Sequence, residues 1–212
     1  MWGPLPPHAS RRPSRALLRL IERLLLVIGV AALGYYLYVS AETMLYQAFE
    51  NRELDKILNT APPSAMRGDV ALATPKRRPQ PSQGSPIGRL EIPRLGVTAI
   101  IRAGSDARTL QLAVGHIPGT ALPGEEGNVG LAAHRDTFFR RLRDIRNDDE
   151  IRVTTSDGSF TYRVERTSVV QPKDVWVLRP TRYPALTLVT CYPFTYIGHA
   201  PERFIVRANR LP

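Results

Sequence analysis

The sequence predicts a mainly β domain, a closed barrel or a sandwich with short helices, behind one N-terminal membrane-spanning helix. Three observations predict this. Short β-branched runs recur between residues 89 and 208, punctuated by Gly and Pro. Residues 24–39 read LLLVIGVAALGYYLYV without a single charge. A Pro-rich polar stretch separates the two regions.

Residues 1–16 form a Pro- and Arg-rich tail, too polar to build a core. The anchor is placed at 17–40. From Leu17 to Val39 it meets the roughly 20 residues a helix needs to cross hydrocarbon. Tyr35, Tyr36 and Tyr38 fall near its far end, where aromatic rings favour the interface. Arg11, Arg12, Arg15, Arg19 and Arg23 stand at the near end against Glu22. That bias predicts a single-pass protein with a cytoplasmic N-terminus and everything after the span outside the membrane. Residues 41–59 continue as an amphipathic stalk, with Met44, Leu45, Ala48 and Phe49, then Leu54, Ile57 and Leu58, at helical spacing. Residues 60–86 are a Pro-rich linker, stiffened and partly extended. The folded domain occupies 87–212, an ordinary single-domain size.

Within that domain 89–92, 97–101, 128–134, 150–154, 159–170, 185–191 and 203–208 read as strands. Ser156-Asp157-Gly158-Ser159 marks a hairpin turn. Asp106 to Leu112, with Asp at the N-cap, and Asp136 to Leu142 fit short helices. The stretch 168–182, with Val175-Trp176-Val177-Leu178, is expected to lie over a groove between two strands.

The net charge of +10 raises nucleic acid or an anionic membrane as partners. Much of the excess flanks the apolar span, and the rest is not gathered with aromatics, which argues against nucleic acid. One cysteine excludes an internal disulfide. No histidine pairs with it at metal-ligand spacing, so no structural zinc site is expected.

The chemistry centres on Thr187-Leu188-Val189-Thr190-Cys191, an apolar run closed by the lone thiol. A thiol becomes a strong nucleophile beside a base and a fixed positive charge. His134, closing Val129-Gly130-Leu131-Ala132-Ala133-His134, supplies the acid/base. Arg203, in Pro201-Glu202-Arg203-Phe204-Ile205-Val206, supplies an oxyanion or substrate donor that stays charged. Trp176 and Tyr192 are candidate substrate-binding residues, as is Thr190, whose hydroxyl either meets the bound peptide or holds the strand end, with positioning the preferred role. His116, in a Gly-Pro turn context, reads as structural, and His199 is a rival base ranked below His134.

These motifs resemble those of the sortases, the membrane-anchored cysteine transpeptidases of bacteria. TLxTC stands as Thr187–Cys191, the catalytic His matches His134, and the Arg matches Arg203 ahead of Phe204-Ile205-Val206. Leu131-Ala132-Ala133-His134-Arg135-Asp136-Thr137 and Gly115-His116-Ile117-Pro118-Gly119-Thr120 are similar to the class D group. The resemblance covers about residues 86–210. It implies an eight-stranded β-barrel and a substrate protein with a C-terminal LPxTG-like sorting signal, cut between Thr and Gly. It also implies transfer of the acyl group to an amine on a cell-wall precursor or another protein. Neither metal nor organic cofactor is needed for that chemistry. Some sortases order the groove loop with calcium, but here only Asp174 offers an acid in 168–182. Two other readings are a membrane-tethered binding module with a buried structural Cys191, and a cysteine acyl hydrolase that releases free acid.

Overall fold

The computed structural model describes residues 19–38, 41, 80–196 and 198–212. The 1–16 tail, the ends of the 17–40 anchor, the 41–59 stalk beyond Ala41 and linker residues 60–79 lie outside the described residues. The chain divides into two compact units, Met1–Met44 and Leu45–Pro212.

In the first unit, α1 (Arg19–Tyr38) is 20 residues long and apolar enough to cross a membrane. At 1.5 Å per residue it is about 30 Å long, matching the hydrocarbon thickness.

In the second unit eight strands close a barrel. They are β1 (Pro86–Ile92), β2 (Val97–Ala103), β3 (Val114–His116), β4 (Asn128–Ala132), β5 (Glu150–Thr155), β6 (Gly158–Val170), β7 (Ala185–Tyr192) and β8 (Glu202–Arg210). Their order around the barrel is β1-β2-β3-β4-β7-β8-β6-β5. Neighbours are antiparallel except β2 with β3 and β4 with β7. A parallel pair needs a crossover. Between β2 and β3 the crossover holds α2 (Ala107–Leu112), whose N-cap Asp106 accepts from the Thr109 backbone N–H at 3.0 Å.

Alternation along each strand sends one set of side chains inward. Val129 and Leu131 of β4, Leu186 and Leu188 of β7, and Val206 and Ala208 of β8 enter one core with Leu90, Ile151, Tyr162 and Phe139. Burying each such leucine contributes roughly 1.5–3 kcal/mol. The opposite set on β4, β7 and β8 faces outward and forms the floor of the site.

The sequence missed β3, because Gly115-His116-Ile117-Pro118 reads as a turn and three residues show no alternation. Residues 136–142 are not an α-helix. A turn is followed by a 3-10 helix over Arg140–Asp144, which buries Leu142. Two further 3-10 helices, Pro93–Leu95 and Val175–Leu178, were not predicted as helical.

Candidate active site

Three adjacent strands carry the site. Cys191 and Arg203 are direct partners across the antiparallel β7–β8 pair. Directly opposed residues share a face, with Cα atoms about 4.5–5.5 Å apart. On the other side β4 runs parallel to β7, with Gly130 beside Thr187 and Ala132 beside Val189. The pairing extends past the end of β4, because the Ala133 N–H donates to the Val189 carbonyl at 3.2 Å. His134 follows two residues beyond Ala132, just past the end of the neighbouring β4, and Cys191 and Arg203 form the last rung of an outward-facing ladder. The rungs below it are Ala132, Val189 and Ile205, then Gly130, Thr187 and Arg207.

Cys191 is half-buried and its thiol is free, whereas His134 is exposed. Arg203 is held by its own loop, with Nη1 donating to the carbonyls of Glu202 at 2.9 Å and Ala200 at 3.2 Å.

The three proposed substrate contacts fare differently. Thr190 faces inward and is buried, and its hydroxyl donates to the Ala133 carbonyl at 2.8 Å. It ties β7 to the residue before His134 and is not open to a peptide, which corrects its placement among substrate-binding residues. Tyr192 also lies on the inward face. Its ring stacks on Phe204, with centroids 6.1 Å apart, and meets Phe194 edge-on. It packs the barrel rim rather than the Cys191 face, a second correction. Trp176 sits on the Val175–Leu178 helix, 51% exposed, and lines a cavity of about 70 Å³ with Arg166, Ser168, Val177, Thr187, Ile205 and Arg207. That segment lies over the outer face of β4 and β7, as expected for 168–182. Asn128 holds it there, donating to the carbonyls of Val177 at 3.1 Å and Arg179 at 3.2 Å. Gly130 permits the close approach, since a Cβ on it would come 3.1 Å from Leu178 Cδ2.

Sequence reasoning missed Arg135, next to His134. It is buried at 9% exposure. Its guanidinium donates to the carbonyls of Pro193 at 3.0 Å, Tyr196, and Gly198 at 3.1 Å, and lies over the Tyr196 ring. One side chain therefore gathers the loop that joins Cys191 to Arg203. A charge buried beside a histidine has no periodic signature, so nothing in the sequence marked it.

His116 is buried, and burial holds its imidazole below the ordinary value. The Thr120 hydroxyl donates to the Ile117 carbonyl, which leaves it only an acceptor toward His116. Nε2 therefore carries the proton and donates to the Ala121 carbonyl at 2.8 Å. This is a structural histidine. His199 is exposed on the β7–β8 loop, outside the ladder. A larger cavity of about 540 Å³, with Gln83, Gly104, Asp106 and His116 in its wall, lies toward the other end of the barrel. Its one carboxylate is committed to the α2 cap. Among the described residues no three His, Cys, Asp or Glu side chains cluster as a metal site.

Comparison with known proteins points to one family. The family model described as a sortase domain matches residues 90–211. Sortase D of Bacillus subtilis (strain 168) is 31% identical over 196 residues, covering 91% of this chain and 98% of the relative. Sortase A from Corynebacterium diphtheriae superimposes with a TM-score of 0.58 at 26% identity, over 81% of this chain and 85% of its own. A Clostridium perfringens sortase D5 transpeptidase gives 0.57 at 26% identity, over 75% and 98%. Sortase C-1 from Actinomyces oris gives 0.56 at 31% identity, over 60% and 75%.

Proposed function

The chain belongs to the sortase family of transpeptidases, and on that premise we propose that Cys191 is its nucleophile, His134 its acid/base and Arg203 its oxyanion donor. The observation that supports this reading is the pairing of Cys191 with Arg203 across β7–β8, with His134 just past the end of the adjacent β4. The substrate is a protein with a C-terminal LPxTG-like signal. Its Leu-Pro segment lies in the groove beside Trp176 and Ile205.

The Cys191 thiolate attacks the carbonyl carbon of the Thr–Gly bond. The C–S bond forms as the carbonyl π electrons move to oxygen. Arg203 meets that oxygen with its Nε and Nη2 donors, since Nη1 is engaged by the loop. A positioned donor of this kind is worth about 2.7–4 kcal/mol in the transition state. His134 protonates the departing glycine amine, leaving a thioester. An incoming amine, on a cell-wall precursor or another protein, gives its proton to His134 and displaces the thiolate. No step calls for a metal or an organic cofactor.

α1 anchors the enzyme in the cytoplasmic membrane, with the basic N-terminus inside and the barrel outside. This matches a substrate and an acceptor that both belong to the envelope.

The test uses the full-length chain in detergent with an LPxTG-type peptide and an amine acceptor. Wild type should accumulate a peptide adduct on Cys191 and release a glycine-initiated fragment. Cys191→Ala should do neither while keeping its melting temperature. Full activity in that variant would remove the nucleophile assignment. Free acid as the main product, with abundant amine present, would make the chain a hydrolase. A thiol inert to alkylation until unfolding would instead favour the binding module.

A further inference from the structure

Arg207 is a half-buried guanidinium. It stands on the outer face of β8 opposite Thr187, two rungs from Arg203. Its Nη1 donates to Thr187 Oγ1 at 2.6 Å. The Thr187 hydroxyl passes its own proton to Asn128 Oδ1 at 2.7 Å, so this contact is saturated. Nε is buried without an acceptor. Among the described residues no carboxylate pairs with Arg207. The neighbouring Glu165 is engaged by Arg166 at 3.1 Å and Asn209 at 3.5 Å. An unpaired donor on a desolvated charge is costly, and such groups are normally matched by an acceptor. Beside it lies the cavity of about 70 Å³, to which Arg166 and Ser168 also contribute. Arg166 is the direct partner of Arg207 across β6–β8. Two cationic side chains and a hydroxyl therefore meet at the covered end of the groove.

The distance from Cys191 says which part of a substrate would reach this place. Thr187 lies four residues before Cys191 on β7, which is about 13 Å at 3.3 Å per residue. An extended peptide whose acyl residue sits at Cys191 covers that span in four steps. It arrives at the fifth residue upstream of the cut, the one that precedes the leucine of a Leu-Pro-x-Thr motif. We propose that the Arg207 end of the groove is a carboxylate subsite, and that this enzyme favours sorting signals with Asp or Glu immediately before the motif. The proposal rests on the transpeptidase reading above. With Nη1 occupied and Nε buried, Nη2 is the donor left to meet a carboxylate in a charge-assisted hydrogen bond.

Peptides with Glu, Gln or Lys before the motif are compared on the full-length chain in detergent. Release is measured as kcat/KM, and binding is measured by fluorescence anisotropy on Cys191→Ala. Glu should exceed Gln by about tenfold in both measurements, and Lys should be poorest. Arg207→Met should level the three, Arg207→Lys should keep part of the preference, and Arg207→Glu should favour Lys. Thermal melts show which variants are folded. Equal handling of Glu and Gln by the wild type overturns the proposal without any variant, and so does a preference that survives Arg207→Met. Cleavage without a charge preference leaves the transpeptidase and removes the subsite. Arg207-dependent binding of the Glu peptide without any cleavage does the reverse.

Discussion

At the residue scale the period of a strand decides what each neighbour of Cys191 can do. Thr190 and Tyr192 flank the thiol, and both point to the other face. The alternation of β7 was readable in Leu186 and Leu188, so this outcome was available before any coordinates. Arg203 could be named from sequence, but its anchoring could not, because the loop carbonyls of Ala200 and Glu202 become acceptors only once the loop folds back. Lysine would keep the charge and lose both the anchor and the planar fork. Arg203→Lys is therefore expected to lower kcat/KM at least a hundredfold on an LPxTG-type peptide, with an unchanged melting temperature. Steady-state kinetics on the purified variant read this directly, and a drop under threefold would mean that charge alone suffices.

At the scale of elements, long alternating strands were legible and short or irregular pieces were not. β1, β2 and β5 through β8 follow their hydrophobic patterns closely. β3 is held by its neighbours, with Gly115 and His116 paired to β4, and has no pattern of its own. The 136–144 stretch winds as turn and 3-10 helix and buries both Phe139 and Leu142. The loop after Cys191 reads as irregular, and its order comes from Arg135. Arg135 spends its guanidinium on the carbonyls of that loop, which makes it a candidate positioning residue. Arg135→Lys has one ammonium to offer three carbonyls. It is expected to lower kcat about tenfold while KM stays within twofold, and to soften the melt by a few degrees. Stopped-flow acylation separates this from general loosening, since acylation should slow as much as turnover. An unaltered kcat would show that the loop holds its shape without Arg135.

At the scale of the whole molecule, the mainly β class, seven of the eight strands and the apolar helix followed from patterning, while the eight-stranded barrel was implied by the family resemblance. The way buried charges are matched did not. Asp149 is buried against the forked Arg94, whose Nη2 donates to it at 2.6 Å, and this contact holds the carboxyl below its usual range. Its contribution to stability is present above the ordinary Asp value near 3.9 and is lost as pH falls through the lower folded value. His116 acts earlier. Burial favours its neutral form, so the unfolded chain binds a proton that the barrel does not. Stability should therefore decline as pH drops below the ordinary His value of about 6.5. His116→Gln keeps a donor for the Ala121 carbonyl and should flatten the melting temperature between pH 7 and 5. A wild-type melt that is level over that interval would contradict this account. The strand order has a further consequence for folding. β8 slots between β7 and β6, and it carries Arg203, the proposed oxyanion donor. The proposed site therefore closes only when β8 docks, since no fragment that stops short of residue 203 can bring guanidinium to sulfur.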